Sequence, residues 1–159
     1  TYDMKPLFYL WGLLLLITAC HRSPIAYEYQ PTPPDGWEPG DTLHFTTDTL
    51  TESGTYQLHI GVRTATAISY PYHSLWLVIQ QDWQRPSHQQ TDTIECQLAN
   101  RQGDKIGQGV TLYQYELPVT QIQLEEGNYA QIRVHHIMRN DLLTGIADVG
   151  IKLEKVHQE

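Results

Sequence analysis

The sequence predicts an all-β domain, a single β-sandwich of about seven to nine strands with jelly-roll or other Greek-key connectivity. Three observations point there. Apolar residues recur at every second position in run after run, turn-forming clusters separate those runs, and no window carries a helical stripe.

The runs follow in order. Tyr27 to Tyr29 open the first strand. Leu43, Phe45 and Thr47 alternate with polar residues, and Tyr56, Leu58, Ile60 and Val62 do so more clearly. Around Leu75, Leu77 and Ile79 the other phase is also apolar (Trp76 and Val78), which predicts a strand buried on both faces. Ile94, Cys96 and Leu98 come next, then Ala130, Ile132 and Val134, and finally Ala147, Val149, Ile151 and Leu153. Period-two patterning rich in Thr, Val, Ile and Tyr is the strand signature, because successive side chains on a strand point to opposite faces. Pro33-Pro34-Asp35-Gly36, Glu52-Ser53-Gly54, Arg101-Gln102-Gly103-Asp104 and Glu125-Glu126-Gly127-Asn128 have turn chemistry. The nearest candidate for a helical turn is Met138 to Leu143.

The beginning of the chain reads differently. Lys5 is followed by an apolar run from Pro6 to Ile17, and Ile17-Thr18-Ala19-Cys20 closes the segment. A basic residue, an apolar stretch of roughly 7–15 residues and a small residue before the cut define a secretory signal. The run is too short to span a bilayer, which takes about 20 residues. The closing tetrad resembles a bacterial lipobox, which implies cleavage between Ala19 and Cys20 and a lipid on the Cys20 thiol. Translation is expected to start at Met4, since Asp3 suits the start of a signal segment badly. The expected organisation is a signal peptide over 1–19, a short lipid-anchored tether over 20–25, and the sandwich over 26–159.

Composition narrows the function. The net charge is −8, with 18 acidic against 10 basic residues, which argues against nucleic acid and against a polybasic membrane patch. Membrane attachment is therefore expected through the lipid, since more than one acyl chain suffices for stable anchoring. With Cys20 lipidated, Cys96 has no disulfide partner; in phase with Ile94 and Leu98, it reads as a small buried hydrophobe. The eight histidines do not form a chelating motif. His135 and His136 are adjacent and point to opposite faces of a strand. No metal or cofactor is expected, and no nucleophile elbow, phosphate loop or reactive thiol suggests an enzyme. Trp37, Tyr70, Tyr72, Trp76, Trp83, Tyr113 and Tyr115 leave an alternative open: a lipid-anchored carbohydrate-binding module, if several of these rings form one exposed platform.

Several segments, in this order and spacing, resemble the gliding-motility lipoprotein GldH family of the Bacteroidetes. They are Leu58-His59-Ile60-Gly61-Val62-Arg63, Tyr70-Pro71-Tyr72, Asp92-Thr93, the Gly103 to Gly109 loop, and Met138-Arg139 with Leu142, Gly145, Ile146, Asp148, Val149 and Gly150. The resemblance implies a non-enzymatic envelope lipoprotein, an accessory of gliding motility and of the associated export and adhesin machinery, acting through protein contacts. It carries no catalytic residues over. Lipid attachment maps to Cys20, and Arg63, Tyr70, Pro71, Tyr72 and Arg139 are candidates for a partner-binding face. His21-Arg22-Ser23-Pro24 after the cysteine lacks both an acidic export cluster and an aspartate at the next position, which favours the outer membrane, facing the periplasm.

Overall fold

The computed structural model describes residues 23–156. The expected signal segment, Ala19–Cys20 cut and lipid site lie outside the described residues. Eight strands make up the fold: β1 (Ala26–Pro31), β2 (Leu43–Thr46), β3 (Gly54–Ala65), β4 (Ser74–Gln84), β5 (His88–Gln97), β6 (Leu112–Leu124), β7 (Tyr129–His136) and β8 (Ile146–Lys155). They form two four-stranded antiparallel sheets, β1-β8-β3-β6 and β2-β7-β4-β5. β1 pairs with β8, β2 with β7, β3 with β6 and β4 with β5. That nesting, one long hairpin rolled into two layers, is the jelly roll.

The core lies between the sheets and takes one phase from each strand. Leu58, Ile60 and Val62 of β3 sit beside Leu153, Ile151 and Val149 of β8, and all six are buried. Phe45, Leu75, Leu77, Ile79, Ile132 and Val134 face them from the second sheet, and Cys96 is fully buried among them. Burying one such side chain is worth about 1.5–3 kcal/mol, so a one-residue slip of β3 would cost on the order of 5 kcal/mol or more. Burial also pushes the Cys96 thiol up to about 12, which keeps it protonated and inert.

Three sequence expectations change. β4 is buried on one face only: Trp76 is 40% exposed and Val78 half-buried, because no strand or helix among the described residues covers the outer face of this antiparallel sheet. The 138–143 stretch forms no helical turn; it runs as a loop whose Leu143 exchanges backbone hydrogen bonds with Trp37 at 2.8 and 2.9 Å. And β6, with 13 residues, is absent from the alternating runs. Its register skips Val119, since Leu58 faces Thr120 while His59 faces Pro118. The extra residue shifts the inward phase from Tyr113, Tyr115 and Leu117 to Ile122 and Leu124, so the strand shows no single period. Pro118 is tolerated because β6 is an edge strand.

Antiparallel pairing throughout forces successive connections to opposite ends. The loops over 32–42, 66–73, 98–111 and 137–145 gather at one end. They are tied there by Ala65 to Gly145, Thr66 to Thr111 and Leu98 to His73 backbone hydrogen bonds. The connections over 47–53, 85–87 and 125–128 gather at the other, tied by Leu50 to Asn128 and by Asn128 to Gln84. Ile25 donates to Leu153 and Val156 to Thr55, so the described chain both starts and finishes at this second, short-turn end.

Thr64, Gln81 and His136 are polar side chains in the core phase. Gln81 is buried, accepts from Trp83 Nε1 at 3.1 Å and donates to Asp92 Oδ2 at 2.6 Å. Asp92 accepts in turn from Gln90, which reaches Thr120 of β6 at 3.1 Å. The chain of bonds closes the open side between the sheets, and the inward carboxylate on edge strand β5 discourages further strand pairing. Asp92→Ala leaves Gln81 without its acceptor and is expected to cost about 1–3 kcal/mol in urea unfolding, with Asp92→Asn costing less. Equal, negligible effects of the two substitutions would contradict this role.

Candidate functional site

At the long-loop end the 66–73 loop is held from two sides. The Tyr70 ring is buried, its hydroxyl donating to the Ser74 carbonyl at 2.9 Å, and burial raises its pKa well above the usual 10. Lys105 Nζ donates to the Tyr70 carbonyl at 2.9 Å. Gly145 backs onto the same residue: at φ +88° a side chain there is strained, and a Cβ would stand 2.5 Å from Tyr70 N. Tyr72 meets Tyr70 edge to face at 5.5 Å and accepts a hydrogen bond from Asn140 of the 137–145 loop. Pro71 and Arg139 are exposed beside them. Tyr70, Pro71 and Tyr72 thus meet the 137–145 loop that bears Arg139, with Tyr70 as the buried support and the others at the surface.

Arg63 lies elsewhere. It points from the outer face of the β1-β8-β3-β6 sheet, where its guanidinium stacks 3.6 Å from the centroid of the Tyr29 ring and its Nε donates to Gln114 at 3.0 Å. The Tyr29 ring lies across paired Gly61 and Gly150; a Cβ on either glycine would come within 2.7 Å of ring carbons. Glycines in the outward phase of two neighbouring strands make a trough, and the aromatic ring fills it. Tyr27 closes the cluster edge-on at 5.7 Å. Burial pushes the Tyr29 phenol up to about 12, with Tyr27 adding to the shift and Arg63 opposing it. Beside it Lys152 bridges Glu116 at 2.8 Å and Glu154 at 3.2 Å. Sequence reasoning missed Tyr29 as the organiser of this face, although Gly61 and Gly150, each out of phase with the core, were a visible signal of close approach.

Beneath the long loops Trp37 is fully buried and packs edge to face on His136 at 5.0 Å. The Met138 N–H donates to His136 Nδ1 at 3.3 Å, so the ring proton sits on Nε2 and bonds the Trp37 carbonyl at 3.0 Å. Burial is the main force holding the His136 pKa below its usual 6.5.

The aromatic platform that glycan binding requires is not formed by the rings proposed for it. Trp37, Tyr70, Trp83 and Tyr115 are buried, Tyr72 and Tyr113 half-buried, and Trp76 stands apart on the outer face of the other sheet. Among the described residues no group of three His, Cys, Asp or Glu side chains could hold a metal ion. A hollow of about 760 Å³ runs between the 106–109 segment and β6. Its charged residue, Glu116, is already bound to Lys152, and Tyr115 donates its hydroxyl to the Leu98 carbonyl at 2.8 Å.

Comparison with known proteins adds what geometry does not. The profile of the GldH lipoprotein family matches residues 24–153, the whole sandwich except its last few residues. The chain belongs to the GldH lipoprotein family. Gliding motility lipoprotein GldH of Flavobacterium johnsoniae is 26% identical over 164 residues, covering 91% of this chain and 95% of that protein. Among solved structures, a CocE/NonD-family hydrolase from Staphylococcus aureus aligns over 86% of the chain at 8% identity and TM-score 0.35. A GH115 4-O-methyl-α-glucuronidase aligns over 87% at 12% identity and TM-score 0.37. The chain spans 32% and 18% of those two proteins, and likenesses this distant carry no functional weight. Gly61, Arg63, Asp148 and Gly150, on which the family resemblance partly rests, share one sheet face; Tyr70, Tyr72, Arg139 and Gly145 share the loop end.

Two outcomes are expected. Gly61→Ala should displace the Tyr29 ring and cost about 1–3 kcal/mol, as overpacking does. The same substitution on a Tyr29→Ala background should cost markedly less, so a double-mutant cycle read by chemical unfolding should be non-additive; additive penalties would contradict the trough. His136 has a folded pKa below its unfolded one, so its contribution is present above pH 6.5 and lost as pH falls through the folded value. The melting temperature should therefore drop between pH 7 and 5, and drop less in His136→Gln; an unchanged slope in that variant would contradict the assignment.

Proposed function

We propose that this chain is a lipid-anchored, non-enzymatic envelope protein that serves gliding-motility machinery, or the export and adhesin machinery associated with it, by holding a partner protein. The name of the Flavobacterium johnsoniae relative, which covers 91% of the chain, supports the motility role. Cys20 carries the lipid after cleavage behind Ala19, and the bilayer is the outer membrane with the sandwich on its periplasmic side, in keeping with His21-Arg22-Ser23-Pro24.

The observation that carries the reading is the position of the first described residues. Ser23 to Ile25 lead into β1 at the short-turn end, where Ile25 donates to Leu153. From Cys20 to Ala26 the extended chain reaches on the order of 20 Å, at about 3.3 Å per residue. A lipid at Cys20 would hold the short-turn end close to the bilayer and leave the long-loop end, with Pro71, Tyr72 and Arg139, free to meet a partner. Arg63 on the sheet face is committed to Tyr29, which makes it a support for that surface more than a contact.

Fractionation of the native host tests the anchor. Wild-type protein should sediment with membranes, and Cys20→Ala should move to the soluble or unprocessed fraction. Affinity purification of the lipidated protein should recover a specific envelope protein, and loss of surface movement on deleting the chain would tie that partner to motility. Membrane retention of a Cys20→Ala chain that has lost its signal segment, or motility unaffected by deletion, would contradict the corresponding part.

A further inference from the structure

We infer that the long-loop end is a docking tip for a different envelope protein, which buries apolar side chains against it; the inference rests on the anchor reading above. Ile68, Ile106, Val110, Ile137 and Leu142 are all large, apolar and exposed, Val110 by 91%, and every one lies on the loops over 66–73, 98–111 or 137–145. Among the described residues, the 47–53, 85–87 and 125–128 connections carry no large exposed apolar residue, and Tyr27, exposed at the start of β1 near this end, packs edge-on against Tyr29. Single exposed apolar residues are ordinary, but exposed aliphatic side chains gathered on three neighbouring loops are a recognition feature.

The tip also has a place for an anchor. A hollow of about 260 Å³ opens between the 32–36 segment and residues 143–147, with Ile68, Pro33, Pro34, Leu143 and Ile146 in its walls. Leu142 reaches over Gly36 beside it, close enough that a Cβ on Gly36 would stand 2.6 Å from Leu142 Cδ1. A pocket of that size, flanked by exposed Ile68 and Leu142, takes one large apolar side chain, the usual core of a protein interface. The frame beneath is rigid. Gly145 against Tyr70, Lys105 on the Tyr70 carbonyl and the Trp37–Leu143 bridge tie the loops together, so little ordering opposes binding.

The length of chain outside the structure decides what covers the tip. Ile25, bonded to Leu153, lies at the opposite end, and β3 alone, with 12 residues, spans about 40 Å. A tether reaching on the order of 20 Å cannot bring its own residues or its lipid to the tip. The bilayer that holds Cys20 lies at the far end for the same reason. A second copy joined tip to tip would place the two anchors at least about 80 Å apart and pointing away from each other, which a single bilayer cannot accommodate. What remains is a separate protein that meets the sandwich from the side away from the membrane.

Site-specific photocrosslinking in the native envelope tests this with the full lipidated chain. A benzophenone amino acid is placed at position 106 or 110 on the tip, and at position 123 or 126 near the short turns. Tip positions should give one discrete heteromeric adduct that the other positions do not give. Ile68→Glu combined with Val110→Glu should reduce that partner's co-purification at least tenfold while leaving the melting curve unchanged. Adducts confined to the short-turn end, a tip adduct of twice the chain's own mass, or undiminished capture by the double variant would each overturn the tip. Fractionation of Cys20→Ala reads the anchor separately: membrane retention of a chain that has lost its signal segment would overturn the anchor reading whatever the crosslinks show.

Discussion

Unbroken antiparallel pairing is the constraint on which the rest of this structure depends. Because each of the eight strands runs against its neighbours in its sheet, connections must alternate between two ends, and the start of β1 and the end of β8 fall at the same one. The long loops then have nowhere to gather but the other. This separation of ends follows from strand count and direction, and no individual side chain is needed to produce it. It gives the domain a polarity: short, hydrogen-bonded turns where the described chain comes in, and longer loops with exposed aliphatic residues at the opposite end.

Within that frame, the positions that look functional in sequence divide into two structural groups. On one sheet face, Gly61 and Gly150 make room for Tyr29, and Arg63 covers it. The cation and the ring satisfy each other, so the cluster stiffens the sheet and leaves little unspent affinity for a ligand. At the loop end, Tyr70 is invested inward and Tyr72 is half-buried, while the surface is made by their neighbours on three loops. Buried rings hold the loops in place, and exposed aliphatic residues remain for recognition. The small pocket beside them is walled by Pro33, Pro34, Ile68, Leu143 and Ile146.

Much of the fold was legible in the sequence for a simple reason. Where one face of a strand is buried and the other wet, the period of two survives in the residues, as in Leu58, Ile60 and Val62 or Val149, Ile151 and Leu153. β6 was not legible, because the bulge at Val119 changes its phase midway and Pro118 interrupts it. Trp76 was misleading, because an exposed tryptophan and a buried one look alike in a string of letters. The candidate site was less legible than the fold. Tyr70, Pro71 and Tyr72 are adjacent in the sequence and so share one loop, but Arg63 joins Tyr29 and Gly150 across three strands that are far apart in sequence. Nothing local in a sequence says which outward-pointing residues will meet.

The central claim is the polarity of the domain relative to its membrane. Energy transfer from a single fluorophore to acceptors in the lipid headgroups, in vesicles bearing the lipidated protein, measures it directly. A fluorophore at position 126 should lie near the bilayer, and one at position 110 should lie farther away by about 40 Å, the length of the sandwich. Equal distances, or the reverse order, would contradict the account.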